Sequence, residues 1–130
     1  VCCIYPTSVF LKAVELKKGL EILESGNWSY TFSATDFSSS IFRSFKKNSN
    51  GGVEMFYPKN FSKRTQDLPQ AMHDAAQFYW GTKDAWKNKS KIFSSYSFPI
   101  KIPNWRIQDI DTPDDWIKAE LLYKFIKNKV

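Results

Sequence analysis

VCCIYPTSVFLKAVELKKGLEILESGNWSYTFSATDF, residues 1–37, changes its hydrophobic rhythm twice. The opening VCCIY is a short apolar run of the kind that forms a buried strand. Pro6 stops it, and Thr7 and Ser8 each carry a hydroxyl able to cap a helix. From Phe10 the rhythm lengthens: Phe10, Ala13, Leu16, Leu20 and Leu23 recur at spacings of three and four, while Lys12, Glu15, Lys18 and Glu21 occupy other faces. That spacing predicts an amphipathic helix ended by Gly26 in a left-handed cap. From Trp28 the chain returns to near alternation of β-branched and aromatic residues with Ser and Thr, which predicts a second strand beside the first. Strand, helix and strand in this order make a parallel pair, so the expected fold class is α/β with a layered sheet.

Downstream the pattern is less regular. SSSIFRSFKKNSNGG, residues 38–52, is polar and basic and ends in Asn50-Gly51-Gly52, the signal for a protruding hairpin or loop. VEMFYP then alternates Val53, Met55 and Tyr57 against Glu54 and Phe56 until Pro58, which predicts a short returning strand. Residues 59–80 read as a long loop with one helical turn after Pro69, followed by a buried strand over Gln77 to Trp80, with Trp80 in the core. GTKDAWKN predicts a short helix and SFPIKIP a strand held between prolines.

A chain of 130 residues suffices for one modest core. With 42% hydrophobic and 17% aromatic residues, a disordered or fibrous chain is excluded. No apolar run reaches the roughly 18–20 residues that span a bilayer, so no membrane insertion is expected and a cytoplasmic location is. Because the sequence opens on Val1 with an apolar strand and no polar leader, it reads as cut at its N-terminus. Cys2 and Cys3 are adjacent and would point to opposite faces of a strand, so two buried, reduced thiols are expected. Nineteen basic and thirteen acidic residues give a formal charge of +6, which suits an anionic ligand such as a nucleotide or an acidic sugar. Nucleic acid is not the expected partner: the lysines are scattered, the aromatics lie in core-like runs and no nucleic-acid motif is present.

RIQDIDTPDDWIKAELL, residues 106–122, packs five carboxylates into one stretch. Ile107 and Ile110 suggest a buried strand end, from which Asp109 and Asp111 would project on one side. Two such carboxylates can share Mg²⁺, which takes oxygen ligands and commonly one or two carboxylates plus substrate phosphates. On spacing alone the better reading is ordinary strand-end carboxylates, since D-x-D is a common and weak signal. Thr112 stands at an N-cap position, Pro113 at the first helical position and Asp115 three residues after the cap, close to a capping box with Asp replacing Glu. Asp114 and Asp115 also lie where a helix dipole favours anions.

QDIDTPDDW followed by AELLY, with RTQDLPQAMHDAAQFYWG and CCIYPTS, resembles the cytidylyltransferases that activate nonulosonic (sialic-type) acids. The combination HDAAQFYWG is closer to the branch that activates pseudaminic acid than to the N-acylneuraminate branch, and so is Tyr5 in place of a glutamine. The resemblance covers essentially the whole chain and corresponds to the C-terminal part of such an enzyme. It implies a nucleotide-diphospho-sugar transferase fold, a three-layer α/β/α sandwich with a mixed sheet and its N-terminal part missing. It also implies a homodimer, for which residues 41–60 are the candidate dimerisation insertion within a single domain 1–130.

The implied reaction joins CTP and a nonulosonic acid to give a CMP-sugar and pyrophosphate, with Mg²⁺ as cofactor. Asp109 and Asp111 match the family's metal-binding pair. Arg64 matches an arginine near the sugar acid, where a guanidinium fork pairs with a carboxylate; its alternative is to brace the loop through Asp67. Gln66 and Asp67 either order that loop or meet sugar hydroxyls. His73, the only histidine, together with Gln77, Phe78 and Tyr5, becomes candidate lining of the sugar pocket. The chain departs from the pattern in lacking the Arg/Gly/Ser/Lys-rich phosphate loop, and in Val9 and Ser40 where prolines are expected. A truncated sugar-binding or dimerising module without catalysis is therefore the second expectation.

Overall fold

A computed structural model describes residues 1–129, in two compact units: residues 1–35 with 74–129, and Asp36–His73. The first holds a four-stranded sheet of β1 (Cys2–Ile4), β2 (Tyr30–Asp36), β5 (Met72–Gly81) and β6 (Ser97–Lys101), in the order β1-β5-β2-β6. β2 and β6 run parallel, from Tyr30 opposite Ser97 to Ala34 opposite Lys101, whereas β1 lies antiparallel to β5, with Cys2 opposite Trp80 and Ile4 opposite Phe78. The sheet is thus mixed and the fold α/β.

The expected neighbour relation of β1 and β2 does not hold, because β5 lies between them. An interior strand is covered on both faces and must be apolar on both; β5 supplies Phe78 on one face and Tyr79 on the other, at 0% and 4% exposure. The three-residue β1 is left at an edge, where Val1 and Ile4 are 75% and 49% exposed. VCCIY is therefore not a buried strand. Its thiols are free, with Cys2 half-buried and Cys3 exposed, which corrects the expectation of two buried cysteines. Pro99 fits the opposite edge strand, since it has no N–H to donate to a further neighbour.

Helix α1 (Ala13–Ser25) turns Leu16, Gly19, Ile22 and Leu23 inward. A Cβ on Gly19 would lie 3.0 Å from both Phe78 and Trp80, so this helix lies close on β5. It begins later than Thr7 or Ser8: the Lys12 N–H donates to Glu15 Oε2 at 3.1 Å, while the Ser8 hydroxyl donates to the Gln77 carbonyl at 2.8 Å and ties the connecting loop to the sheet. Gly26 is extended (φ −122°, ψ 177°) rather than left-handed; a Cβ there would meet the Trp28 ring at 2.5 Å. On this side of the sheet Ala75, Phe78, Ile100 and Ile102 form the core, with Trp80 half-buried against it. A second cluster joins Phe32, Ala34 and Tyr79 to Trp86 and Ile92. Trp86 belongs to the predicted short helix α2 (Lys83–Lys87), capped by Thr82 through the Ala85 N–H.

No strand forms over residues 107–111, contrary to expectation; a short 3₁₀ turn, Asn104–Arg106, leads into irregular backbone. The reason is Arg106. Its side chain is 4% exposed and ion-paired with Glu15 of α1, an anchor that directs the segment onto the helix instead of into the sheet. Helix α3 (Pro113–Lys129) then starts where expected. Thr112 Oγ1 accepts from the Asp115 N–H at 3.3 Å and Asp115 Oδ2 accepts from the Thr112 N–H at 3.1 Å, the reciprocal pair of a capping box. Ala119 is the buried contact of α3, while Trp116, Ile117, Leu121 and Tyr123 are more than half exposed.

The second unit contains the predicted hairpin, β3 (Phe45–Lys47) against β4 (Val53–Met55). Asn48 Oδ1 accepts from the N–H groups of Asn50 and Gly52, and Gly51 takes φ +84°, a conformation glycine adopts at no steric cost. Single 3₁₀ turns follow at Pro58–Asn60 and Thr65–Asp67, both before Pro69 rather than after it. β5 also begins at Met72, five residues earlier than predicted, because HDAAQ carries little apolar signal for an extended run.

Candidate functional site

In the turn Thr65–Asp67 the Asp67 N–H donates to the Arg64 carbonyl at 3.0 Å, and the Arg64 guanidinium donates from Nε to Asp67 Oδ2 at 3.1 Å. Both side chains are largely exposed, at 74% and 51%. Arg64 therefore does brace its turn, and it does so at a surface open to an anion. Gln66 is exposed in the same turn. His73 packs its ring on Phe37 at 4.7 Å between centroids, at the start of β5.

Further along β5, Asp74, Gln77 and Tyr79 come together with Tyr5 on the face away from α1. The Tyr79 hydroxyl donates to Asp74 Oδ2, and the Tyr5 and Tyr79 rings lie 5.4 Å apart. Residues 74 and 79 would fall on opposite faces of a regular strand. Ala76 at φ +50° breaks the pleat, and Asp74 Oδ1 secures the break by accepting from the Ala76 N–H at 2.8 Å. Burial, and after it the hydrogen bond to Asp74, push the Tyr79 phenol well above its ordinary pKa, so it stays a neutral donor. Gln77 is 4% exposed, and its amide oxygen has no hydrogen-bond partner among the described residues. Phe78, by contrast, points under α1 and is fully buried in the core beside Gly19. The structure thus gathers Tyr5 and Gln77 but sends Phe78 to the other face, as alternation along a strand demands.

Asp109 and Asp111 are exposed in the loop that enters α3. Asp109 Oδ1 accepts from the Ile110 N–H at 3.0 Å, and the Asp111 N–H donates to Asp115 Oδ2 at 3.4 Å. Asp115 is committed to the cap: the Thr112 hydroxyl first, then Lys118 and backbone N–H groups, hold its carboxyl below the ordinary value. Asp109 and Asp111 remain with their carboxylates at the surface. Among the described residues no group of three or more His, Cys, Asp or Glu side chains is placed to hold a metal.

Asp74 and Tyr79 were not foreseen from the sequence, since only the break at Ala76 brings them to one face. No family model matches the chain. Pseudaminic acid cytidylyltransferases from two strains of Campylobacter jejuni subsp. jejuni are each 40% identical to it over 124 residues, 95% of the chain and 53% of either enzyme. The resemblance is to pseudaminic acid cytidylyltransferases. A Helicobacter pylori protein named pseudaminic acid cytidylyltransferase and UDP-2,4-diacetamido-2,4,6-trideoxy-beta-L-altropyranose hydrolase is 36% identical over 110 residues, 84% of the chain and 21% of that protein. The chain spans about half the length of the two Campylobacter cytidylyltransferases it matches. No helix among the described residues is long and apolar enough to cross a membrane.

Proposed function

We propose that the chain provides the sugar-acid-binding and metal-carrying portion of a cytidylyltransferase that joins CMP from CTP to a pseudaminate-type nonulosonic acid. The observation that carries this reading is 40% identity over 95% of the chain, in a sequence that contains both RTQDLP and QDID. In this reading the chain is the C-terminal part of a three-layer nucleotide-diphospho-sugar transferase fold acting in the cytoplasm, and residues 41–60 pair two copies. The basic hairpin around Lys46 and Lys47 is the element that would do so.

The reaction forms a bond from the sugar's anomeric oxygen to the α-phosphorus of CTP as the bond from that phosphorus to the β-phosphate bridging oxygen breaks. Pyrophosphate leaves and the hydroxyl proton passes to water. Little covalent work falls to the protein, which must orient the two anions and offset their charge. Arg64, held in its turn by Asp67, presents a planar fork to the sugar carboxylate. Gln66 and His73 are candidate sugar contacts in the unit that holds Arg64, and within the other unit Tyr5 and Gln77 carry a hydroxyl and an amide on the sheet face. Asp109 and Asp111 would hold Mg²⁺, which when bound neutralises phosphate charge.

The alternative reading is a sugar-binding or dimerising module without catalysis. The test measures pyrophosphate release from CTP, pseudaminic acid and Mg²⁺, using the chain alone and the chain joined to the unmatched portion of a Campylobacter relative. We expect the joined protein to turn over and Asp111→Ala to lower turnover by about 100-fold or more without unfolding it. Unchanged turnover in that variant removes the metal assignment. Sugar binding without turnover in the joined protein favours the module.

A further inference from the structure

Ala75 and Phe78 lie in one core cluster although they are three positions apart, whereas a regular strand would send them to opposite faces. The break at Ala76 supplies the extra step. It is held from both sides: the buried Ser33 hydroxyl of β2 accepts from the N–H groups of Gln77 and Phe78, at 2.9 and 3.3 Å, and the Gln77 carbonyl accepts from the Tyr5 N–H at 3.2 Å and the Ser8 hydroxyl at 2.8 Å. A left-handed backbone at a residue with a Cβ costs free energy, and such conformations persist where the surroundings over-determine them, most often at functional sites. In an unbroken strand Asp74 would share the side of Phe78 and turn into the core. The break places it instead on the face of Tyr5 and Tyr79.

The two oxygens of Asp74 do different work. Oδ1 accepts from the Ala76 N–H at 2.8 Å and fixes the break, while Oδ2 accepts from the Tyr79 hydroxyl. Tyr79 is 4% exposed and does not itself reach the surface, but its ring lies 5.4 Å from that of Tyr5, which is 43% exposed. After burial and Asp74, Tyr5 is also among the groups that raise the Tyr79 phenol, so the two phenols act on each other. We infer that Asp74 is a positioning residue for the sugar acid, acting through the Tyr79 hydroxyl on Tyr5. The inference rests on the proposed sugar-acid function, in which Tyr5 is a candidate sugar contact, and deepens it. Because the carboxylate keeps the Tyr79 proton on its own side, the Tyr79 oxygen turns only lone pairs toward Tyr5. The Tyr5 hydroxyl then directs its proton inward and offers its own lone pairs to a hydroxyl or N–H of the sugar.

The test uses the chain joined to the unmatched portion of a Campylobacter relative, titrated by calorimetry with pseudaminic acid and, separately, with CTP and Mg²⁺. Asp74→Asn keeps an oxygen for the Ala76 N–H but turns an amide N–H toward Tyr79, whose hydroxyl must then reverse. We expect it to weaken pseudaminic acid about fivefold, the loss of one hydrogen bond, and to leave CTP affinity unchanged. Tyr79→Phe keeps the ring, removes the hydroxyl and should act alike, and the double variant should lose little more than either alone, since both act on one bond. Urea midpoints record that each variant is folded. If folded Asp74→Asn and Tyr79→Phe proteins bind pseudaminic acid as the unmodified protein does, or lose sugar and CTP affinity equally, the positioning role falls while the sugar-acid function stands. If the unmodified joined protein does not bind pseudaminic acid, the proposed function falls and takes the positioning role with it.

Discussion

The two compact units differ in how their structure is secured. The unit of residues 1–35 with 74–129 contains every fully buried side chain among the described residues, whereas no residue from 36 to 73 is buried. The first is a sheet with a helix packed on it, held by apolar burial that falls off steeply when a ring is removed. The second is a series of turns and one hairpin, held by backbone bonds and by side-chain-to-backbone bonds from Asn48, Asn60 and Arg43. Isolated hairpins are marginal in water. The candidate residues divide along the same line, with Arg64, Gln66, Asp67 and His73 in the unit without buried residues and Tyr5, Gln77, Phe78, Asp109 and Asp111 in the other. Recognition groups can be exposed and adaptable; the scaffold that spaces them cannot.

The largest effect expected from this contrast is at Phe78, which is 0% exposed. Phe78→Ala should cost about 3–5 kcal/mol, read as a shift in urea midpoint, while Phe45→Ala, at a hairpin residue 63% exposed, should stay within about 0.5 kcal/mol. Similar losses at both positions would break the comparison. Next is Glu15, whose carboxylate answers the buried Arg106 guanidinium and also accepts from the Lys12 N–H. Glu15→Ala should destabilise by about 3 kcal/mol, because it strands a charge that is 3% exposed. Arg64→Ala, which breaks the exposed pair with Asp67, should change stability by less than about 1 kcal/mol by the same measurement.

The smallest effect is a pH dependence confined to the start of α3. Asp115 is held below its ordinary value of 3.8, so its carboxylate stabilises the folded cap at pH values above that figure. That contribution is lost as pH falls below the ordinary value and through the lowered folded one, where the group protonates and no longer accepts from the Thr112 hydroxyl. Amide protection factors at residues 112–116, measured against the intrinsic rate at each pH, should fall through that range, and Asp115→Asn should flatten the response. A cap insensitive to pH would show that Thr112 alone supports it.

Local signals were legible wherever one residue type does one job. Asn50-Gly51-Gly52 announced the hairpin, Thr112-Pro113 with Asp115 announced α3, and the three-and-four spacing of Leu16, Leu20 and Leu23 announced α1. The site was legible in part: RTQDLP and QDID marked candidate residues, but not that QDID lies in a loop, that Phe78 turns inward, or that Asp74 meets Tyr79.

The sequence by itself determined the kinds of element, their caps and turns, and the resemblance that points to nucleotide and sugar-acid chemistry, because these depend on residues within a few positions of one another. Tertiary structure decided the rest. It placed β5 between β1 and β2, left VCCIY at an edge, and drew Arg106 across 91 residues to Glu15. It also brought Asp74 and Tyr79 to one face through the break at Ala76. Such outcomes follow from competition among distant segments for one buried interior, and no short window of sequence records which segment wins.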